Sequence, residues 1–86
     1  MTPQPSKRLA YDYAERIRAR LPGRVRTLRE AVGLSKYALA EKSGVSRDMI
    51  GSIESGESIP TLHILARLAQ GVSVTLTELV RGMEDG

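Results

Sequence analysis

Apolar residues recur along this chain three and four positions apart, the spacing of helix faces. In "SKRLAYDYAERIRARL", Leu9, Tyr13, Ile17 and Leu21 share one helical face. Ser6 is placed to cap that helix, and Pro22-Gly23 predicts its end. "GRVRTLREAVGLS" carries Val25, Leu28 and Val32 at helical spacing, with Gly33 suited to the position just past a helix end. Ser35 is an N-cap candidate for "KYALAEKS", whose apolar face is Tyr37, Leu39 and Ala40. Gly44 ends that helix. Ser46 caps the next, which runs to Ser55 with Met49, Ile50 and Ile53 on one side.

After the polar loop "SGESIP", Thr61 restarts a helix striped by Leu62, Leu65, Leu68 and Ala69. "TLTE" fits a capping box, with Thr75 as N-cap and Glu78 at the third helical position. It opens a last helix with Leu76, Leu79, Val80 and Met83 as its apolar face. The pattern predicts six short helices and no strand, an all-α chain. Residues 1–21 read as a tail and an extra helix, and residues 22–86 as the main domain.

Composition narrows the function. At 86 residues and 41% apolar content the chain supports one small core. It has no cysteine and one histidine, so neither a disulfide framework nor a Cys/His metal site is expected. His63 reads as a surface residue without a role. No apolar run approaches a membrane span or signal peptide, which leaves a cytoplasmic location as the expectation. No nucleophile–base set, phosphate-cradling glycine loop or cofactor motif is visible, so no enzyme and no cofactor is expected.

Charge is uneven. Residues 1–29 hold Lys7, Arg8, Arg16, Arg18, Arg20, Arg24, Arg26 and Arg29 against only Asp12 and Glu15, whereas the remainder is net acidic. A basic first third points to a polyanion partner or to solubilising arginines on exposed helix faces. With three Tyr and no Phe or Trp, stacking on single strands is a poor fit, and Tyr11, Tyr13 and Tyr37 read as packing residues.

Two helices joined by Gly44-Val45-Ser46 have the proportions of a helix-turn-helix. Ala40 must be small where the second helix crosses. Gly44 sits where a positive φ is needed. Val45, Ile50 and Ile53 fill the space between the helices.

With these residues the chain resembles the Cro-type, lambda-repressor-like helix-turn-helix domains, the XRE family. The matching segments are "RVRTLREAVGLSKYALAEKSGVSRDMIGSIESG", "PTLHILARLA" and "VTLTELVRG". The resemblance implies a five-helix DNA-binding domain, here with an extra N-terminal helix. It also implies that helix 46–55 enters the major groove of double-stranded DNA. Arg47, Asp48 and Ser52 match positions that face base edges, and Ser46 and Ser55 match positions near phosphates. Lys36 stands where the family mostly has a phosphate-binding glutamine. Arg29 and Glu54 match an ion pair that ties the first helix to the recognition helix.

The residue chemistry suits these roles. Arginine's fork matches guanine O6 and N7, aspartate accepts from the cytosine amino group, and serine pairs with several bases. Two departures stand out. Ser73 occupies a turn where the family has Gly, Asn or Asp, and Gly71 falls inside the preceding helix at a cost of about 1 kcal/mol relative to alanine. That end is therefore expected to be looser than in relatives. Glu57 replaces a base that would reach phosphate, so backbone contacts are expected from Arg24, Arg26, Lys36 and Lys42 instead.

The expected function is a transcriptional regulator, a repressor or autoregulator, that binds a palindromic operator as a homodimer. Its dimer interface is expected on Leu76, Leu79, Val80 and Met83. The alternative is an antitoxin-like module that binds a small partner protein and regulates its own operon.

Overall fold

The Pro22-Gly23 break does not occur. A computed structural model describes residues 7–84, with side chains from Tyr11 onward, and in it one helix, α1, runs from Lys7 to Ala31 through Pro22. The cap expected from Ser6, the tail and the Leu9 side chain lie outside the described residues. The two predicted helices fuse because their apolar faces are in register. Ile17, Leu21, Val25 and Leu28 continue one stripe across the proline, with Leu21 and Val25 buried and the other two packed against the core. Pro22 donates no helical hydrogen bond, which costs an isolated helix about 3 kcal/mol. Burial along the stripe offsets that penalty.

Four shorter helices follow: α2 (Lys36–Ser43), α3 (Arg47–Ser55), α4 (Leu62–Gly71) and α5 (Leu76–Val80). Among the described residues there is no strand, and the chain is all-α. The four caps fall where the sequence puts them. Ser35, Ser46, Thr61 and Thr75 accept from the backbone N–H three residues on, at 3.0–3.2 Å. Only half of the expected capping box forms. The Glu78 carboxylate pairs with Arg81 at 2.7 Å and lies 3.8 Å from Arg24.

α2 packs on α3 and α4, α1 on α3 and α5, and α4 on α5. Leu39, Ile50, Ile53, Leu68 and Leu79 fill the centre. Five residues assigned to apolar faces stay outside: Leu62, Tyr37, Val32, Tyr13 and Met49 are all exposed, Leu62 most at 70%. Helices of eight to ten residues bury only a narrow stripe, which Tyr37, Met49 and Leu62 flank, whereas Tyr13 lies on the outer half of α1 and Val32 in the turn after it.

Gly71 and Ser73 turn out differently from one another. A Cβ on Gly71 would lie 2.7 Å from Leu39 Cδ1 and 3.0 Å from Ser43 Cβ. The glycine is what lets α4 approach α2, so the end expected to be loose is closely packed. Ser73 adopts φ 64°, the left-handed conformation that the usual glycine or asparagine would take without strain. Its N–H bonds the Gln70 carbonyl and that of Val74 bonds Ala69, which closes the helix. Ser73→Gly is therefore expected to raise stability by about 0.5–1 kcal/mol, read as a higher midpoint in urea at unchanged slope.

The C-terminal turn is held by arginines of α1. Arg24 donates to the carbonyls of Leu79 (2.9 Å) and Glu78 (2.7 Å), and Arg20 donates to that of Met83 (3.0 Å). Tyr13 donates to Glu84, and Arg16 lies over the Tyr13 ring, 5.7 Å from its centroid. These contacts satisfy the orphan carbonyls of a helix end and place positive charge at its negative pole. They also correct the expected dimer surface. Leu79 and, in the turn after α5, Met83 are buried inside the protomer, which leaves Leu76 and Val80 half-buried at the surface.

Candidate nucleic-acid interface

α3 is amphipathic in a specific way. Ile50 and Ile53 are fully buried, while Met49 is 38% exposed. The outer side carries Arg47, Asp48, Gly51, Ser52 and Ser55, which together with Lys36 and Glu57 line one shallow, open groove. The two flanking turns fix where this face points. Gly44 ends α2 at φ 73° and Gly56 ends α3 at φ 84°. Val45, 3% exposed, plugs the space between the two helices.

The inner end of α3 is locked to α1. Arg29 Nε donates to Glu54 Oε2 at 2.7 Å and its Nη2 donates to Oε1 at 2.9 Å, a two-pronged pair between buried side chains. The third nitrogen, Nη1, donates to the Leu34 carbonyl at 2.8 Å. Burial pushes the Glu54 carboxyl up. The Arg29 hydrogen bonds and charge, helped by Lys36 and Arg26, outweigh it and leave the group below the usual glutamate value. The bonds to Glu54 hold the Arg29 guanidinium above its ordinary value. α3 therefore cannot roll about its own axis without stranding a buried charge.

The other sequence-predicted residues separate into two groups. Arg47, Asp48, Ser52, Ser55 and Lys36 meet in the α3 groove, and Ser46 adjoins it beside Arg47 and Asp48. Among the described residues, Arg47, Asp48 and Lys36 have no hydrogen-bond or ion-pair partner. The Ser46 Oγ accepts from Met49 N–H and keeps its own proton for an outside acceptor. Ser55 instead turns its hydroxyl back onto the Ser52 carbonyl at 3.1 Å.

Arg24, Arg26 and Lys42 do not join this group. Arg24 is taken up at the end of α5. Arg26 donates to the Glu54 carbonyl at 3.1 Å and sits 3.6 Å from its carboxylate, at the end of α3 that Arg29 holds. Lys42 lies in the last turn of α2, outside the groove. The basic first third is thus largely spent on internal carbonyls and carboxylates. Charge counting along the sequence carries no signal for that.

One groove residue was not singled out in the sequence, and Glu57, expected beside the interface, is placed in it. Tyr37 lines an adjoining groove with Ala40, Glu41, Ser46, Arg47 and Asp48, and so is no packing residue. Glu57 faces into the α3 groove, where two cations therefore meet two anions. Such a surface is chemically selective rather than broadly attractive to polyanions. Among the described residues no group of His, Asp or Glu could hold a metal ion, and no helix is long and apolar enough to cross a membrane.

Residues 25–79 match the helix-turn-helix family HTH_3. Over 56 residues the chain is 39% identical to the HTH-type transcriptional regulator SutR of Escherichia coli (strain K12), covering 65% of this chain and 32% of that protein. The chain thus spans about a third of that curated relative's length. It is also similar to the crystal structure of an HTH_3 family transcriptional regulator from Vibrio cholerae. The TM-score is 0.70 at 35% identity, over 73% of this chain and 35% of that one. The restriction-modification controller protein C.AhdI from Aeromonas hydrophila superposes with a TM-score of 0.68 at 34% identity, over 78% of this chain and 98% of that one.

Proposed function

Because this chain belongs to the helix-turn-helix family HTH_3, we propose that it is a sequence-specific, double-stranded-DNA-binding transcriptional regulator, acting in the cytoplasm as a repressor on a palindromic operator. One observation carries the reading. α3 is held rigidly from behind by fully buried Ile50 and Ile53 and by the Arg29–Glu54 pair, while the side chains of Arg47, Asp48 and Ser52 on its outer side have no hydrogen-bond or ion-pair partner among the described residues. Arg47 reads a guanine edge, Asp48 a cytosine amino group and Ser52 a neighbouring base. Lys36, Ser46 and the open N–H groups at the start of α3 hold phosphates. Of the other expected backbone contacts, Arg24 and Arg26 would have to leave their partners at Glu78 and Glu54 to reach a phosphate, and Lys42 stands outside the α3 groove. The 32% coverage of the longer regulator and the 98% coverage of the controller protein both fit a self-contained DNA-binding unit.

Two such units on half-sites about 34 Å apart give the area that one lacks. The homodimer forms around an open apolar groove between the first half of α1, the loop before α4, and α5. Ile17, Ile59, Leu65 and Val80 line that groove over the buried Leu21 and Met83. Beside it, Ile59 is 65% exposed, and Leu62, one turn before Leu65, is 70% exposed. The patch thus offers both a hollow and knobs, as a two-fold interface requires. Leu62→Glu is expected to shift sedimentation at tens of micromolar from dimer to monomer with the helical content kept. An unchanged dimer would place the interface elsewhere.

The function itself is tested by selecting duplexes from a randomised library at fixed, near-physiological salt, because phosphate contacts make affinity steeply salt-dependent. An enriched palindrome is the expected result. No enrichment by the folded protein would remove DNA reading from α3.

A further inference from the structure

Two helices, α1 and α3, carry an interior glycine that the protein's own packing does not explain, and only the one in α3 lies in the candidate interface. Gly71 in α4 is forced by the approach of α2, and Gly44 and Gly56 by their positive φ. Gly51 has neither reason. Its φ is not in the left-handed region, and a Cβ built on it meets no atom within 4 Å. Interior glycine weakens a helix through the backbone freedom it loses on folding. At Gly51 that weakness falls on the helix whose rigidity the interface depends on.

The position explains what the packing does not. Gly51 is four residues from both Arg47 and Ser55 and three from Asp48, so it is their neighbour on the helix surface. It lines the same groove between them. We propose that Gly51 is a clearance residue. Its missing side chain lets the floor of the DNA major groove come up against the α3 backbone, which brings Arg47 and Asp48 within hydrogen-bond reach of the base edges. Helix strength is given up for depth of insertion. This rests on the DNA-binding reading above and adds a specificity-determining position to it.

Gly23 supplies the internal control. It too lies inside a helix with no atom within 4 Å of a built Cβ, but it sits in α1 beside Arg20, Arg24 and Thr27, away from the α3 groove. The test compares Gly51→Ala, Gly23→Ala and the parent protein on the duplex enriched from the library. Thermal melting is followed on the same samples. Both variants are expected to melt roughly 4–8 °C higher, the shift that gained helix propensity gives a domain of this size. Only Gly51→Ala is expected to lose affinity, by about tenfold or more, comparable to a mismatched base pair. If Gly51→Ala binds as tightly as the parent, the clearance role is wrong. If it melts lower, the glycine is structural, and the proposal fails on that count. If the parent enriches no duplex at all, the DNA-binding reading falls and this proposal with it, an outcome distinct from the other two.

Discussion

Glu54→Ala is expected to cost about 3–5 kcal/mol of folding stability, the penalty for removing one partner of a buried ion pair. The Glu54 side chain is 1% exposed and that of Arg29 11%, so water cannot replace the lost carboxylate. A guanidinium with two N–H groups aimed at an empty site is left inside the protein. Domains of this size have only about 5–15 kcal/mol in total, so the variant should be partly unfolded near body temperature. The pair itself is not the source of that energy. Replacing both residues together, Arg29→Met with Glu54→Leu, should recover much of the loss, because two apolar side chains avoid the desolvation cost that the ions carry. Recovery should fall short by the Leu34 carbonyl, which Arg29 also satisfies. Urea denaturation of the two singles and the double measures this coupling directly.

The same pair sets an acid limit. The Glu54 carboxyl is depressed below its ordinary 4.5 in the folded protein. A depressed carboxyl contributes stability that is fully present above its unfolded value and is lost as pH falls through the folded one. The urea midpoint should therefore hold from neutrality down to about pH 4.5 and then drop. Glu54→Gln should be less stable at neutral pH and lack that part of the acid drop. A parallel fall in both proteins would move the acid sensitivity to other carboxylates.

What the sequence discloses is mostly local. Ser35, Ser46, Thr61 and Thr75 each sit just before an apolar period, and a cap needs nothing beyond its own next three residues. Gly44 was legible for the same reason, because a sharp turn between two helices demands a positive φ wherever it occurs. The misread places are those where a distant segment decides. Pro22-Gly23 is a strong local stop, yet α3 and α5 pack along one stripe on either side of it and carry α1 through. Arg20 and Arg24 look like free charges until the carbonyls of α5 and of the turn after it arrive beside them. Leu79 and Met83 look like a spare apolar face until the protomer's own core closes over them. Gly71 looks like a weakness until Leu39 and Ser43 close on it. The candidate site was more legible than the scaffold around it, because Arg47, Asp48 and Ser52 share a face by helical period alone. Tyr37 was read as a packing residue because its place beside the adjoining groove depends on how α2 meets the start of α3.

Arg47→Ala should produce the largest change in binding with almost none in stability. The side chain is exposed and engages no described residue, so its loss should leave the melting curve within about 0.5 kcal/mol. On DNA, one two-pronged arginine–guanine contact is worth about 1–3 kcal/mol. A palindrome holds two copies, so the dimer should lose about 2–6 kcal/mol. The loss should be confined to sequence preference. Repeated selection with the variant should show one symmetric pair of positions become indifferent, while the rest of the palindrome survives. Lys36→Ala should behave differently. Its ammonium meets a phosphate rather than a base, so affinity should fall about equally on all duplexes and the salt slope should shrink by about one per protomer. Asp48 explains why the two must differ. An acid beside Arg47 repels phosphate everywhere and is compensated only where a cytosine amino group stands opposite it. The charge pattern of α3 therefore penalises wrong sequences as well as rewarding the right one, and Asp48→Asn should bind non-operator DNA more tightly while discriminating less.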